Sequence, residues 1–122
     1  CPKEVLTVSL NENSTNIPYT LGRLFAVYEE VQERANPGIN ATIRDKYFNS
    51  ASATPAVIFP ILDNLSMKHL RKLDTGSRIV KENQIGKLKN VLGESYPTRL
   101  SLPEQGSFNL GYYHQKQFRY TK

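Results

Sequence analysis

Residues 16–35 read NIPYTLGRLFAVYEEVQERA, and this stretch decides the fold. Leu21, Leu24, Phe25, Tyr28 and Val31 fall at i, i+3, i+4, i+7 and i+10, one apolar stripe at helical spacing. Pro18 suits an early helical position, where its missing N–H is no loss, and Asn16 is a candidate cap. Glu29, Glu30 and Glu33 sit largely off the stripe, and Asn36-Pro37-Gly38 ends the helix. The pattern predicts a helix from about Pro18 to Ala35 with one face on a core.

The same period recurs downstream. A short helix is expected over about Ala41–Ser50 with Ile43, Tyr47 and Phe48 inward, then a tight connection at Ser50–Ala53. Thr54-Pro55 opens a third helix to about Leu73, with Ile58, Ile61, Leu62, Leu65 and Leu73 on its apolar side and a kink or late start at Pro60. A turn at Asp74–Ser77 leads into a fourth, about Arg78–Leu92, with Val80, Ile85, Leu88 and Leu92 inward. Residues 94–109, with Pro97, Pro103 and Gly106, read as an irregular connection. A last helix is expected over about Asn109–Tyr120, carrying Leu110, Tyr113, His114 and Phe118 along one side. Residues 4–10 are β-rich, and residues 1–15 read as a short extended segment whose strand would need a partner. The expectation is an all-α, compact bundle of about five helices with a short extended N-terminal segment, residues 1–122 forming one domain.

At 122 residues the chain has the size of one domain and can hold a core without staples. It is 39% hydrophobic and 22% charged, which places it among ordinary globular chains rather than disordered or fibrous ones. No apolar run approaches the roughly 18 residues of a membrane span, and no basic-then-apolar stretch reads as a secretory leader. One cysteine, Cys1, excludes a disulfide within the chain and a cysteine-built zinc site. A chain opening on Cys1 rather than Met reads as a fragment or a processed product.

Catalytic patterns are missing from the sequence: it holds no H-E-x-x-H, C-x-x-C, G-x-S-x-G or P-loop. His114 lies between Leu110 and Phe118 and reads as a hydrogen-bonded residue at a helix contact, while His69 reads as a surface or boundary residue. The sequons at Asn13, Asn40 and Asn64 read as chance. No cofactor or metal ligand set is indicated, and the chain is expected not to be an enzyme in its own right.

Charge is the informative feature. The net charge is +5, but residues 1–40 carry three bases and five acids, whereas residues 41–122 carry thirteen bases and six acids. Such asymmetry suits a polyanion on one side and another partner on the other, although mild basicity also serves solubility alone. Lys68, Arg71 and Lys72 share a helical face. Arg78 and Lys81 follow across a short turn and would extend the patch if the two helices lie side by side. Lys116, Arg119 and Lys122 cluster on the last helix with Tyr112, Tyr113 and Tyr120 interleaved, and Arg44 and Lys46 lie on the second. Such cations contact phosphates without reading bases, and tyrosines stack on unpaired bases. A solvated helix face, with cations favoured by the dipole at a helix C-terminus, explains the first cluster equally simply. A helix-turn-helix reader is disfavoured, because the third helix opens with Pro55, Val57, Ile58 and Phe59 rather than polar residues.

Three blocks carry a resemblance: residues 16–35, residues 39–73 (INATIRDKYFNSASATPAVIFPILDNLSMKHLRKL) and residues 102–120 (LPEQGSFNLGYYHQKQFRY). Together they span 74 of 122 residues. They resemble the C-terminal part of the large subunit of the type I-C CRISPR surveillance complex, Cascade, the Csd-type family. In that family the segment is also made as a separate small subunit by internal translation. The resemblance implies a non-catalytic small subunit lining the inner face of the complex in the prokaryotic cytoplasm, in antiviral defence. It would contact the backbone and large subunits, in more than one copy per complex. It would help hold the single-stranded target and displaced non-target DNA of the R-loop. Sequence choice there is delegated to guide RNA, so phosphate contacts suffice. The candidate contacts, from charge geometry alone, are Lys68, Arg71, Lys72, Arg78, Lys81, Lys116 and Arg119. The acidic first helix would then face protein, not DNA. A purely structural spacer, in which apolar surface and the acidic helix matter and the lysines do not, and a free-standing helical DNA-binding regulator are the alternatives.

Overall fold

The computed structural model describes residues 16–36, 38, 43–93 and 96–120, with side chains as far as residue 117. The extended segment expected at residues 1–15 lies outside the described residues. Five helices account for almost all of the rest: α1 (Ile17–Ala35), α2 (Ile43–Ala53), α3 (Pro55–Leu70), α4 (Thr75–Leu92) and α5 (Leu102–Tyr120). The fold is all-α among the described residues, as the periodicity predicts.

Helix α1 is the axis of the bundle. Its N-terminus is capped by Asn16, whose side chain accepts from the Tyr19 amide at 2.9 Å. All five stripe residues are buried, but so is nearly every position from Pro18 to Val31. The reason is that α1 packs against all four other helices, most extensively α5, then α4, α3 and α2. A helix surrounded on all sides has no solvent face for its acids. Glu29 and Glu30, expected off the core, are only 2% and 6% exposed.

The backbones of α1 and α5 come together at two glycines. A Cβ on Gly22 would stand 2.0 Å from the Phe108 carbonyl oxygen, and one on Gly111 would stand 2.0 Å from that of Tyr19. Beside the crossing, Phe25 meets Phe108 and Tyr112 edge-on at 6.0 and 5.7 Å between centroids. Phe48 of α2 closes the cluster against the same two rings at 5.4 and 5.0 Å. The inward stripe of α5 is therefore Phe108, Gly111, Tyr112 and Gln115. Leu110 and Tyr113, expected inward, point out at 52% and 48% exposure, since each is well off that stripe in helical angle. Helix α5 also begins seven residues before the expected Asn109. Ser101 accepts from the Glu104 amide while the Glu104 carboxylate accepts from the Ser101 amide, a capping box, with Pro103 in the first turn.

Helices α2 to α4 flank this pair. Helix α3 runs unbroken through Pro60, which lies on its exposed side where the carbonyl left without a helical partner can be hydrated. It buries Ile58, Phe59 and Leu62, but Ile61 is exposed. Helix α4 starts at Thr75, not Arg78, because Asp74 caps it by accepting from the Ser77 amide. Its buried stripe is Lys81, Ile85, Leu88 and Leu92. Val80 is exposed: five residues before Ile85, it misses the face that Lys81, four before, must share. The connection to α5 is tied down rather than loose. Tyr96 stacks on Phe59, and backbone hydrogen bonds join Ala56 to Pro97 and Leu100 to Ala53.

A methyl group at the crossing meets backbone, which cannot swing aside, so Gly22→Ala and Gly111→Ala are each expected to destabilise by about 3 kcal/mol or more. Gly86→Ala, on the exposed side of α4 with nothing near the new Cβ, should stabilise by about 0.5–1 kcal/mol through helix propensity. Urea denaturation of the three variants checks this. A loss below about 0.5 kcal/mol at Gly22 or Gly111, within the range of an ordinary surface substitution, would contradict the close crossing.

Candidate nucleic-acid interface

The structure sorts the charges into an internal set and an external set. Internally, the Glu30 carboxylate meets Lys81 at 2.7 Å and Arg34 at 2.9 Å. Burial alone would raise its pKa, but the Lys81 and Arg34 hydrogen bonds and charges outweigh this and hold it below the usual 4.5. Glu29 accepts from the Tyr112 hydroxyl and has the Lys116 ammonium at 3.5 Å. Burial, and then the Glu29 carboxylate, push the Tyr112 phenol far above its ordinary value. Asp63 on α3 forms a third hub, accepting from the Tyr28 and Tyr96 hydroxyls, with Lys89 at 3.3 Å. Tyr28 and Tyr96 are likewise raised, first by burial and then by Asp63.

Two expected contact residues belong to this internal set. Lys81 is 6% exposed, turned inward by its place on the α4 stripe, where it compensates a buried glutamate. Lys116 is half-buried, held over the Tyr112 ring and beside Glu29. A strand outside the bundle cannot use Lys81 without first opening that ion pair. Glu29 and Glu30 of the first helix do face protein, but the protein is their own chain.

The external set lies where α1 and α3 end. Lys68, Arg71 and Lys72 are exposed on the last turn of α3 and the turn after it. None of the three forms an ion pair among the described residues. Asn36, just past α1, joins the two helix ends: its amide nitrogen is 3.3 Å from His69 Nδ1, and its oxygen accepts from Lys72 Nζ at 3.2 Å. Burial, then the Lys72 and Lys68 charges, hold the His69 imidazole below its usual 6.5, so these ammonium groups set a positive local potential. The carboxylate nearest in sequence, Asp74, is engaged in capping α4. Arg78 lies half-buried on the same stripe as Lys81, at the edge of this end. The Arg119 side chain lies outside the described residues.

A second exposed cation, visible in the charge pattern, has a setting the pattern does not show. Arg44 of α2 donates to the Tyr113 hydroxyl at 2.6 Å and lies over the rings of Phe48, Tyr112 and Tyr113. Its signal is the pairing of an arginine on α2 with tyrosines on α5, which only the packing of those helices brings together. His114 takes the place its spacing predicts, buried at the α1–α5 contact with Nδ1 2.8 Å from the Tyr19 hydroxyl. Among the described residues no three His, Cys, Asp or Glu side chains gather as a metal site requires, and no helix is long and apolar enough to cross a membrane.

Fold and surface together give, among the described residues, a five-helix bundle with its acids partly sequestered and a cluster of cations left to the outside. The chain belongs to the Cas_Csd1 family of CRISPR-associated proteins, whose model matches residues 1–120. No curated protein matches it.

Losing Lys81 strands a buried carboxylate beside the exposed Arg34. Lys81→Met is expected to destabilise by about 3 kcal/mol at neutral pH. Glu30 has a depressed pKa in the fold, so its contribution is present above 4.5 and is lost as the pH falls through the folded value. The penalty of Lys81→Met should therefore shrink on acidification, and Glu30→Gln added to it should restore most of the loss. Urea midpoints across pH check this; a pH-independent penalty would mark Lys81 as a packing residue only.

Proposed function

We propose that this chain is a non-catalytic helical unit of a type I-C CRISPR RNA-guided surveillance complex. It holds the target and displaced strands of the R-loop by sequence-independent contacts to their phosphates. The observation that carries the reading is the end of the bundle at α1 and α3, where Lys68, Arg71 and Lys72 stand exposed without a carboxylate partner among the described residues. Family membership supplies the setting, and the three resembling blocks point to the segment made as a separate small subunit. Guide pairing supplies sequence choice, so flexible cations without base-reading geometry are sufficient. Of the contacts expected from the sequence, Lys68, Arg71, Lys72 and Arg78 remain candidates, and Lys116 serves the interior first. The complex works on DNA in the prokaryotic cytoplasm, beside backbone and large subunits.

A second reading, a spacer that contacts only protein, draws on exposed apolar side chains. Val57, Ile61 and Met67 lie on the outer side of α3, Ile79 and Val80 on α4, and Leu102 and Leu110 on α5. The two readings differ in what the lysines do. Binding to a single-stranded oligonucleotide should weaken with salt along a log–log slope of about −0.7 per phosphate neutralised. Replacing Lys68, Arg71 and Lys72 together by glutamine should lower affinity and flatten the slope by about two units, because three phosphates then keep their counterions. Unchanged affinity and slope would remove this patch from the interface and favour the spacer.

A further inference from the structure

Helix α2 and helix α5 meet at an aromatic cluster whose inner half is core and whose outer half is not. Phe25, Phe108 and Tyr112 are fully buried and Phe48 seals them from the α2 side. Outside this seal, Arg44 lies 5.3 Å from the Phe48 centroid, 5.6 Å from that of Tyr112 and 5.8 Å from that of Tyr113. Its guanidinium donates to the Tyr113 hydroxyl at 2.6 Å. Tyr113 meets Tyr112 edge-on at 5.0 Å, yet 48% of Tyr113 stays in water.

Arg44 and Tyr113 lie over the outer edge of Tyr112 but keep much of their own surface in water, and holding two long polar side chains there costs conformational entropy. What the arrangement achieves is a fixed aromatic ring beside a fixed planar cation. A nucleobase has a π-face for the ring and the guanidinium, and its phosphates have a charge partner in Arg44. The geometry points to Tyr113 and Arg44 as a stacking platform for an unpaired base of single-stranded nucleic acid. This rests on the strand-holding reading above and adds to it a base contact that tolerates every sequence, because any base can stack. It stands on a different pair of helices from the lysines at the end of α3. A strand held by both is gripped through its phosphates at one place and through a base at another.

The test is equilibrium binding by the full chain to two single-stranded oligonucleotides of equal length, one ordinary and one with abasic sites in place of its central bases. Tyr113→Leu should weaken binding to the ordinary strand on the order of tenfold and leave the abasic strand unaffected, with the salt slope unchanged. Tyr113→Phe keeps the ring, loses only the hydroxyl, and should bind within about twofold of the parent. A 2-aminopurine base in the ordinary strand should be quenched by the parent and the phenylalanine variant but not by Tyr113→Leu. Salt-sensitive binding that ignores Tyr113, or falls equally on both strands, overturns the platform and leaves the phosphate reading standing. Failure of the parent chain to bind either strand overturns both. Should the leucine variant fold poorly, Tyr113→Gln, a polar side chain at a half-exposed position, takes its place, with the same loss of binding and quenching expected and their retention overturning the platform.

Discussion

Two glycines hold the backbones of α1 and α5 in contact, and the rest of the bundle is arranged around that contact. With Gly22 against Phe108 and Gly111 against Tyr19, the helices approach more closely than side chains would allow. This proximity lets Tyr112 reach Glu29 and His114 reach Tyr19. It also lets Phe25, Phe48 and Phe108 interlock. Larger residues at either position would push α5 outward and open the aromatic cluster on which Arg44 rests. The surface at α2 and α5 is thus set by a constraint inside the protein.

Burying α1 on every side has an electrostatic consequence. A carboxylate taken from water must be paired or neutralised, so Glu30 takes Lys81 and Arg34, and Glu29 takes Tyr112 and Lys116. Cations recruited in this way serve the fold. Those left outside, at the end of α3, lie near helix C-termini where the dipole favours them and where partner carboxylates are lacking among the described residues. That division turns a modest net charge into a localised cationic surface.

The helical fold is legible because each apolar period is local. The stripe of α1, the Thr54-Pro55 start of α3 and the stop at Gly93 are all written in neighbouring residues. Two helices start earlier than their apolar periods indicate, because the capping signals, Asp74 with Ser77 and Ser101 with Glu104, lie within segments that read as a turn and an irregular connection. Facing is the harder problem. Val80 and Leu110 are apolar and exposed, while Lys81 and Glu29 are charged and buried, and hydrophobicity alone assigns all four to the wrong side. Only the partner across the contact explains them, and a partner distant in sequence leaves no local mark. The same limit applies to the site. The α3 cations are visible as a spacing, whereas the Arg44–Tyr113 pair spans residues 69 apart in sequence.

On the proposed reading, this helical member of a CRISPR-associated family uses its cationic end and its exposed cation–aromatic pair to hold a strand without reading it. Photo-cross-linking within the assembled complex examines that claim directly, using reactive groups placed along the displaced strand, with and without bound target. The account predicts cross-links to the segment around Lys68–Lys72 and to Tyr113 that appear only when the R-loop forms. Strong cross-links to neighbouring subunits, with none to this chain in either state, would contradict it.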